Sequence, residues 1–526
     1  MKRREWLQAG LGSLTGLGAL PGCSVEAPPA TLPPGAWVGT AHERGHRLRT
    51  PTAAAPTGTP RKAAVLVLGA GIAGLAAARG FLRAGVDDVQ VLELEDSPGG
   101  NSRGHRMGGL ACPLGAHYLP LPGAAAHEVS EWLHELGLLR QHLGRTVADE
   151  RHLCHSPQER LFFEGSWHEG LLPPAEPQSA TMAQYRRFAA RVAAAPRFTI
   201  PMHRSAWTAE HATLDGQTFA TWLDGHGLDD PRLRWYLDYC CRDDYGAGIN
   251  TVSAWAGLHY FASRHGFHAP GSEGGERDAV FTWPEGNAWL VQHLTAALEG
   301  RIHGKRVVTQ VSEQRHGVQV QVLHGDTAES WTAGTVVLAL PLWISRRVLQ
   351  APPPALLQAT QGLVQAPWLV ANLQLDRPLL PRPGLPAAWD SVAYGSRWLG
   401  YVDAMHQSLH AQPGATVLTA YTPLPVAERP TLLDLPRDEW ARRVLAEYTP
   451  LHPDLPQRVQ RLDLMRYGHA MAVPVPGLAH TAAARRALRG GHGRVRFAHA
   501  DLAGYSVFEE AFVAGSDAAR APCRCA

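Results

Sequence analysis

The strongest constraint on how this chain can fold is a junction at residue 68. Residues 63–68 (Ala-Ala-Val-Leu-Val-Leu) are the short apolar run expected of a strand buried in a parallel sheet. The run leads directly into Gly69-Ala70-Gly71-Ile72-Ala73-Gly74, and residues 75–84 have helix-forming composition. Glycines at these spacings have separate mechanical duties. Gly69 permits the tight turn, Gly71 lets a pyrophosphate approach the backbone, and Gly74 lets helix and strand pack closely. The amino terminus of the helix then faces the phosphates. A second apolar strand, 89–94, carries Glu93 19 residues beyond Gly74. That matches the roughly 20-residue spacing at which a carboxylate accepts hydrogen bonds from an adenosine ribose and disfavours a 2′-phosphate. The expectation is an α/β fold with a Rossmann-like dinucleotide-binding domain.

The next stretch separates FAD from NAD. Glu95-Asp96-Ser97-Pro98-Gly99-Gly100-Asn101-Ser102-Arg103 resembles the extended motif of the flavin-containing amine oxidase superfamily, which also holds protoporphyrinogen oxidases and carotenoid desaturases. In that family an Arg follows the two glycines directly. Here Asn101 stands in its place, and Arg103 is the expected pyrophosphate contact beside Gly99 and Gly100. Leu114-Gly115-Ala116-His117-Tyr118 resembles the family segment that passes near the flavin ring, which makes Tyr118 a pocket candidate. The resemblance returns at 306–311, 317–322 and 335–341, where a strand, an alternating strand and an apolar strand ending in Ala339-Leu340-Pro341 follow one another. It implies that the backbone of Val308 meets adenine. At the far end, 494–501 reads as a last strand closing on Asp501, and 507–519 as a helix. By resemblance Asp501 contacts the cofactor, and the helix start at Val507 faces the flavin, where its positive end favours the reduced anionic ring.

These segments imply an interleaved chain: an FAD-binding domain over 62–124, 276–341 and 465–526, and an α+β substrate domain over 125–275 and 342–464. Trp283 and Tyr467 are further pocket candidates, the first beside the Gly286 turn, the second where the family often sets an aromatic over the flavin. The stretch from Trp235 to Tyr245 is dense in aromatic and charged residues. A helix from Pro231 places Asp238 and Arg242 four apart, which reads as a structural ion pair, with a Tyr/Asp substrate site in this stretch as the alternative.

Residues 1–24 read as an export signal, with Arg3-Arg4 resembling a twin-arginine motif and Leu20-Pro21-Gly22-Cys23 a lipobox whose Cys23 is lipidated. The alternative is an ordinary signal peptide with an incidental Cys23. Residues 25–61, rich in Pro, Ala and Thr, read as a flexible tether. A periplasmic or cell-envelope lipoprotein, touching the membrane only through its lipid, is the expectation.

Net charge is +2 over 526 residues, which gives no field for nucleic acid. Seven cysteines show no paired CxxC arms, and no metal site is expected. Of 49 basic residues only Lys2, Lys62 and Lys305 are Lys, so none readily supplies the lysine-held water of many amine oxidases. The chain is expected to take a hydride equivalent from a small molecule, an amine or a C–H/C–C substrate, and pass electrons to oxygen or a quinone. The alternative is a flavin-binding envelope protein without turnover.

Overall fold

The computed structural model describes residues 31–49, 58–264, 266–271, 279–408 and 414–521. Residues 1–24, expected to be an export signal, and with them Cys23, lie outside these.

Two seven-stranded sheets organise the molecule. In the first, Arg61–Leu68 is central, parallel to Val89–Leu92 on one side and to Thr327–Leu338 on the other. The long strand Thr327–Leu338 serves two partners along its outer edge. Its first half pairs antiparallel with Gly317–His324, continuing to Arg306–Gln314, and its last residues pair parallel with Val495–Phe497. Because strand side chains alternate, Val65 and Val67 point to one face and Leu66 and Leu68 to the other. The first pair meets the helix Ile72–Arg83 and Phe512 of the helix Phe508–Arg520. The second meets Leu342, Val348, Leu356 and Leu488. The two helices on the first face cross where Gly515 lies against the carbonyl of Ala73; a Cβ there would sit 2.1 Å from that oxygen.

The second sheet runs Val459–Val473, Val364–Leu375, Thr416–Pro423, Tyr401–Asp403, Asp390–Ala393, Glu159–Phe163, Ser166–Glu169. It is antiparallel except where Asp390–Ala393 joins Glu159–Phe163. Along Val364–Leu375 the same alternation sends Leu369, Leu373 and Leu375 onto the helix Arg437–Tyr448. Ala366, Trp368 and Val370 face a helical cluster that includes Pro231–Tyr245 and Ala254–Ala262. The α/β class and the interleaving agree with the sequence reading.

Its boundaries need correction. The cut at 465 falls inside the continuous strand Val459–Val473, whose partner Val364–Leu375 holds it in the substrate sheet. Residues at the start of each of the two segments assigned to the substrate domain belong to the cofactor core: Trp132 and Leu133 pack with Phe512, and 342–359 cover the far face of the first sheet. The reading of 25–61 as a tether fails over residues 31–49. Ala36 and Pro34 carbonyls accept from Leu464 and Leu462, the Val38 N–H returns to Leu464, and Trp37 lies against Arg466, 4.4 Å from guanidinium to ring. Composition concealed this because backbone pairing to a sheet edge needs no periodic side chains.

Candidate active site

The glycine turn forms as its spacing requires. Gly69 has φ +102°, a conformation open to glycine, and a Cβ on Gly74 would lie 1.9 Å from the Gly69 oxygen. A Cβ on Gly71 would meet Gly100 Cα at 3.9 Å, an ordinary van der Waals contact. No side chain caps the helix that starts at Ile72, so its first N–H groups remain for an anion. Gly99 donates to Ala70, which brings the second glycine pair beside the first. Glu93 is buried, and its two oxygens accept from the Ala70 and Glu95 N–H groups at 2.7 and 2.9 Å. Burial raises its pKa against those two bonds. Two adjoining glycine turns, with an uncapped helix end and a carboxylate at the second strand, fit a dinucleotide.

Other predicted contacts have different surroundings. Arg103 donates to the carbonyls of Gly100 and Gly39, so its guanidinium braces the rim of the groove and does not reach freely across it. Val308 is buried in the first sheet where its pairing shifts register before Gln310. Asp501 is fully buried, but both oxygens are used. One accepts from Leu342 N–H at 2.9 Å, the other from the Gln365 amide at 3.1 Å. Burial alone would raise its pKa; the neighbouring His499 and these bonds bring it below the usual range. Asp501 therefore welds the end of the last strand, the end expected at the cofactor, to the Pro341 turn through its carboxylate. Val507 does begin a helix, Phe508–Arg520. Buried Glu509 and Glu510 in its first turn oppose the positive helix end that the sequence reading relied on.

The segment from Leu114 to Tyr118 joins the groove to the substrate domain. Leu114 and Ala116 N–H groups donate to the carbonyls of Arg103 and Asn101, on the groove side. On the other side, the Tyr467 phenol donates to Leu114 O, the Tyr421 phenol to Gly115 O, and the Asn287 amide to Tyr118 O. Beyond this clamp, His117 stacks on Tyr421 with ring centroids 4.4 Å apart, and Trp389 stands 5.5 Å from the same imidazole. Burial lowers the His117 pKa to about 4, so the ring is neutral at pH 7 and acts as an aromatic wall.

Carboxylates line the same region. The Tyr118 phenol meets Asp243 at 3.3 Å. Burial and the charge of Asp244 push Asp243 up to about 7, and burial pushes Asp244 to about 6 although Arg264 opposes it. Burial, then Glu159 and Asp243, raise Asp390. Asp243, Asp244, Asp390 and Glu159 are all half-buried. The nearby cation Arg264 is also paired with Glu509 at 3.3 Å, and Arg242 with Asp238 at 2.8 Å.

Of the predicted pocket residues, Tyr118 meets this carboxylate cluster and Tyr467 fixes the segment bordering it. Trp283 does neither. It is buried in the cofactor-domain core, stacked on Trp289 at 4.7 Å and donating its indole N–H to His152, which corrects its reading as a pocket wall. The Asp238–Arg242 pair forms as read, and the same helix carries Asp243 and Asp244, the acids of the alternative reading of this stretch as a Tyr/Asp substrate site. Asp243 and Asp244 have no Lys or Arg three or four residues away on their helix, the one local sign that their charge is meant for something else.

The flavin containing amine oxidoreductase family matches residues 72–521. Polyamine oxidase 7 of Oryza sativa subsp. japonica is 36% identical over 69 residues, so the match spans 13% of this chain and 14% of that relative's length. Putrescine oxidase bound to putrescine has a similar structure, with TM-score 0.64, 18% identity, and coverage of 88% of this chain and 99% of the other. A CLA-producing fatty acid isomerase from P. acnes gives TM-score 0.59 at 17% identity, covering 86% and 97%. At these identities the likeness is one of fold, and folds of this kind host different chemistries.

Proposed function

Because this chain belongs to the flavin containing amine oxidoreductase family, with FAD as its cofactor, we propose that it is an oxidoreductase acting on a cationic amine. The observation that carries this reading is the cluster of half-buried carboxylates Asp243, Asp244, Asp390 and Glu159 beside the Leu114–Tyr118 segment. Burial and the neighbouring Asp244 make an ionised Asp243 unfavourable, and a bound ammonium relieves it. A fatty acid would add another negative charge to the same walls. An amine is thus the better fit of the two substrate types named for similar structures.

When bound, FAD supplies the acceptor for the hydride equivalent of the C–H bond next to nitrogen. Asp243 attracts the ammonium and accepts one of its protons, with the Tyr118 phenol holding the carboxylate's orientation. The lone pair so freed forms the C=N bond as the hydride leaves. His117, Tyr421 and Trp389 hold the carbon chain and exclude water. Neither described lysine serves here: Lys62 is exposed on the first strand, and Lys305 lies 3.6 Å from Asp96.

The test is anaerobic mixing of the yellow holoprotein with monoamines, diamines, polyamines and fatty acids. Amines are expected to bleach the flavin. Bleaching by fatty acids alone would overturn the amine reading, and bleaching by nothing would favour a flavin-binding protein without turnover. Reoxidation with oxygen and with a soluble quinone then identifies the acceptor. We also propose export by the twin-arginine route and anchoring through lipidated Cys23, on the strength of the Arg3-Arg4 and Leu20-Pro21-Gly22-Cys23 motifs.

A further inference from the structure

Residues 34–44 connect the substrate sheet to the two walls of the cofactor groove. On one side they extend the sheet edge: Leu462 donates to Pro34 O and Leu464 to Ala36 O, both at 2.9 Å, and Ala36 N–H donates to Asp463 at 2.9 Å. Trp37 stacks with Arg466, and the Thr40 hydroxyl donates to the Arg466 carbonyl.

On the other side, two hydrogen-bonded bridges reach the groove. Gly39 O accepts from Arg103 at 2.7 Å, and Arg103 in turn holds Gly100, the glycine facing Gly71. Ala41 N–H donates to Glu95 at 3.0 Å; the Glu95 N–H holds Glu93, and Glu93 holds Ala70 in the first glycine turn. Arg44 closes the end of the segment on Leu94 O at 2.7 Å and Asp96 at 3.0 Å. One bridge therefore ends at the pyrophosphate position and the other at the ribose carboxylate.

We propose that residues 34–44 complete the FAD site as a clasp: they tie both groove walls to the substrate sheet, and FAD cannot leave until these bonds break. The inference rests on FAD occupying the groove and is independent of the substrate. Glycine turns alone leave the groove open on the side away from the first sheet. A segment fixed at both ends confines the ligand by slowing its release more than by adding direct contacts.

The test uses the full-length holoprotein and follows the recovery of free-FAD fluorescence after dilution, in wild type, Trp37→Ala and Arg44→Ala. Arg44 touches groove backbone and two carboxylates at its rim, so its variant reads the clasp even if Trp37→Ala does not fold. Release at least threefold faster, with unchanged circular dichroism and apoprotein melting, is the expected result. Release within threefold of wild type for the folded variants would overturn the clasp. A wild-type protein that cannot be loaded with FAD would overturn the cofactor premise, and the clasp with it.

Discussion

Glu93 and Asp243 are both carboxylates enclosed by protein, and their neighbours give them opposite tasks. Glu93 accepts two backbone N–H bonds and stays fixed. Replacing it with Ala strands both donors, and is expected to cost roughly 1–3 kcal/mol in denaturant stability and to lower the flavin-to-protein absorbance ratio of the purified protein. Asp243 has one phenol partner and a pKa pushed up to about 7. Between its unfolded value near 3.9 and 7, the folded protein keeps a proton that the unfolded chain releases, so this contribution to stability falls as pH rises through that window. A bound ammonium reverses the penalty. The rise in Tm produced by a diamine is therefore expected to grow from pH 6 to pH 8, and Asp243→Asn to flatten both that growth and the rising limb of kcat/KM against pH. Glu93 was legible in the sequence because its role depends on local spacing from Gly74. Asp243 was legible only through the alternative reading of its stretch, because its importance comes from Tyr118, Asp244, Asp390 and Glu159, which four separate chain segments deliver.

The same distinction operates between elements. The glycine-turn helix and the helix after Val507 were legible from the apolar runs at their ends, but their contact depends on Gly515 fitting against Ala73 O. Gly515→Val is expected to lower Tm through about 1–3 kcal/mol of overpacking, with FAD retention falling because the first helix is displaced. The strand Val459–Val473 was split at 465 because its partner lies some 90 residues earlier, at Val364–Leu375, and no local signal marks where one sheet's claim on the chain ends. Trp283 was misplaced for a related reason. A tryptophan beside a glycine turn can face a pocket or a helix, and Trp289, six residues on, decided for the helix.

At the scale of the molecule, cofactor and substrate regions share chain segments repeatedly, so the two sheets and the groove between them are stabilised together. Free FAD at a hundred times its Kd is expected to raise stability by about 2.7 kcal/mol, read as a Tm shift with FAD titration. Cys23→Ala is expected to move the protein from the membrane to the soluble fraction, with its flavin spectrum unchanged. The docking of residues 31–49 changes what such an anchor would mean. Only eight residue steps separate Cys23 from Thr31, a reach of about 28 Å fully extended. A lipid on Cys23 would leave the protein no long leash. It would moor the protein close to the sheet edge where Pro34 and Ala36 accept from Leu462 and Leu464.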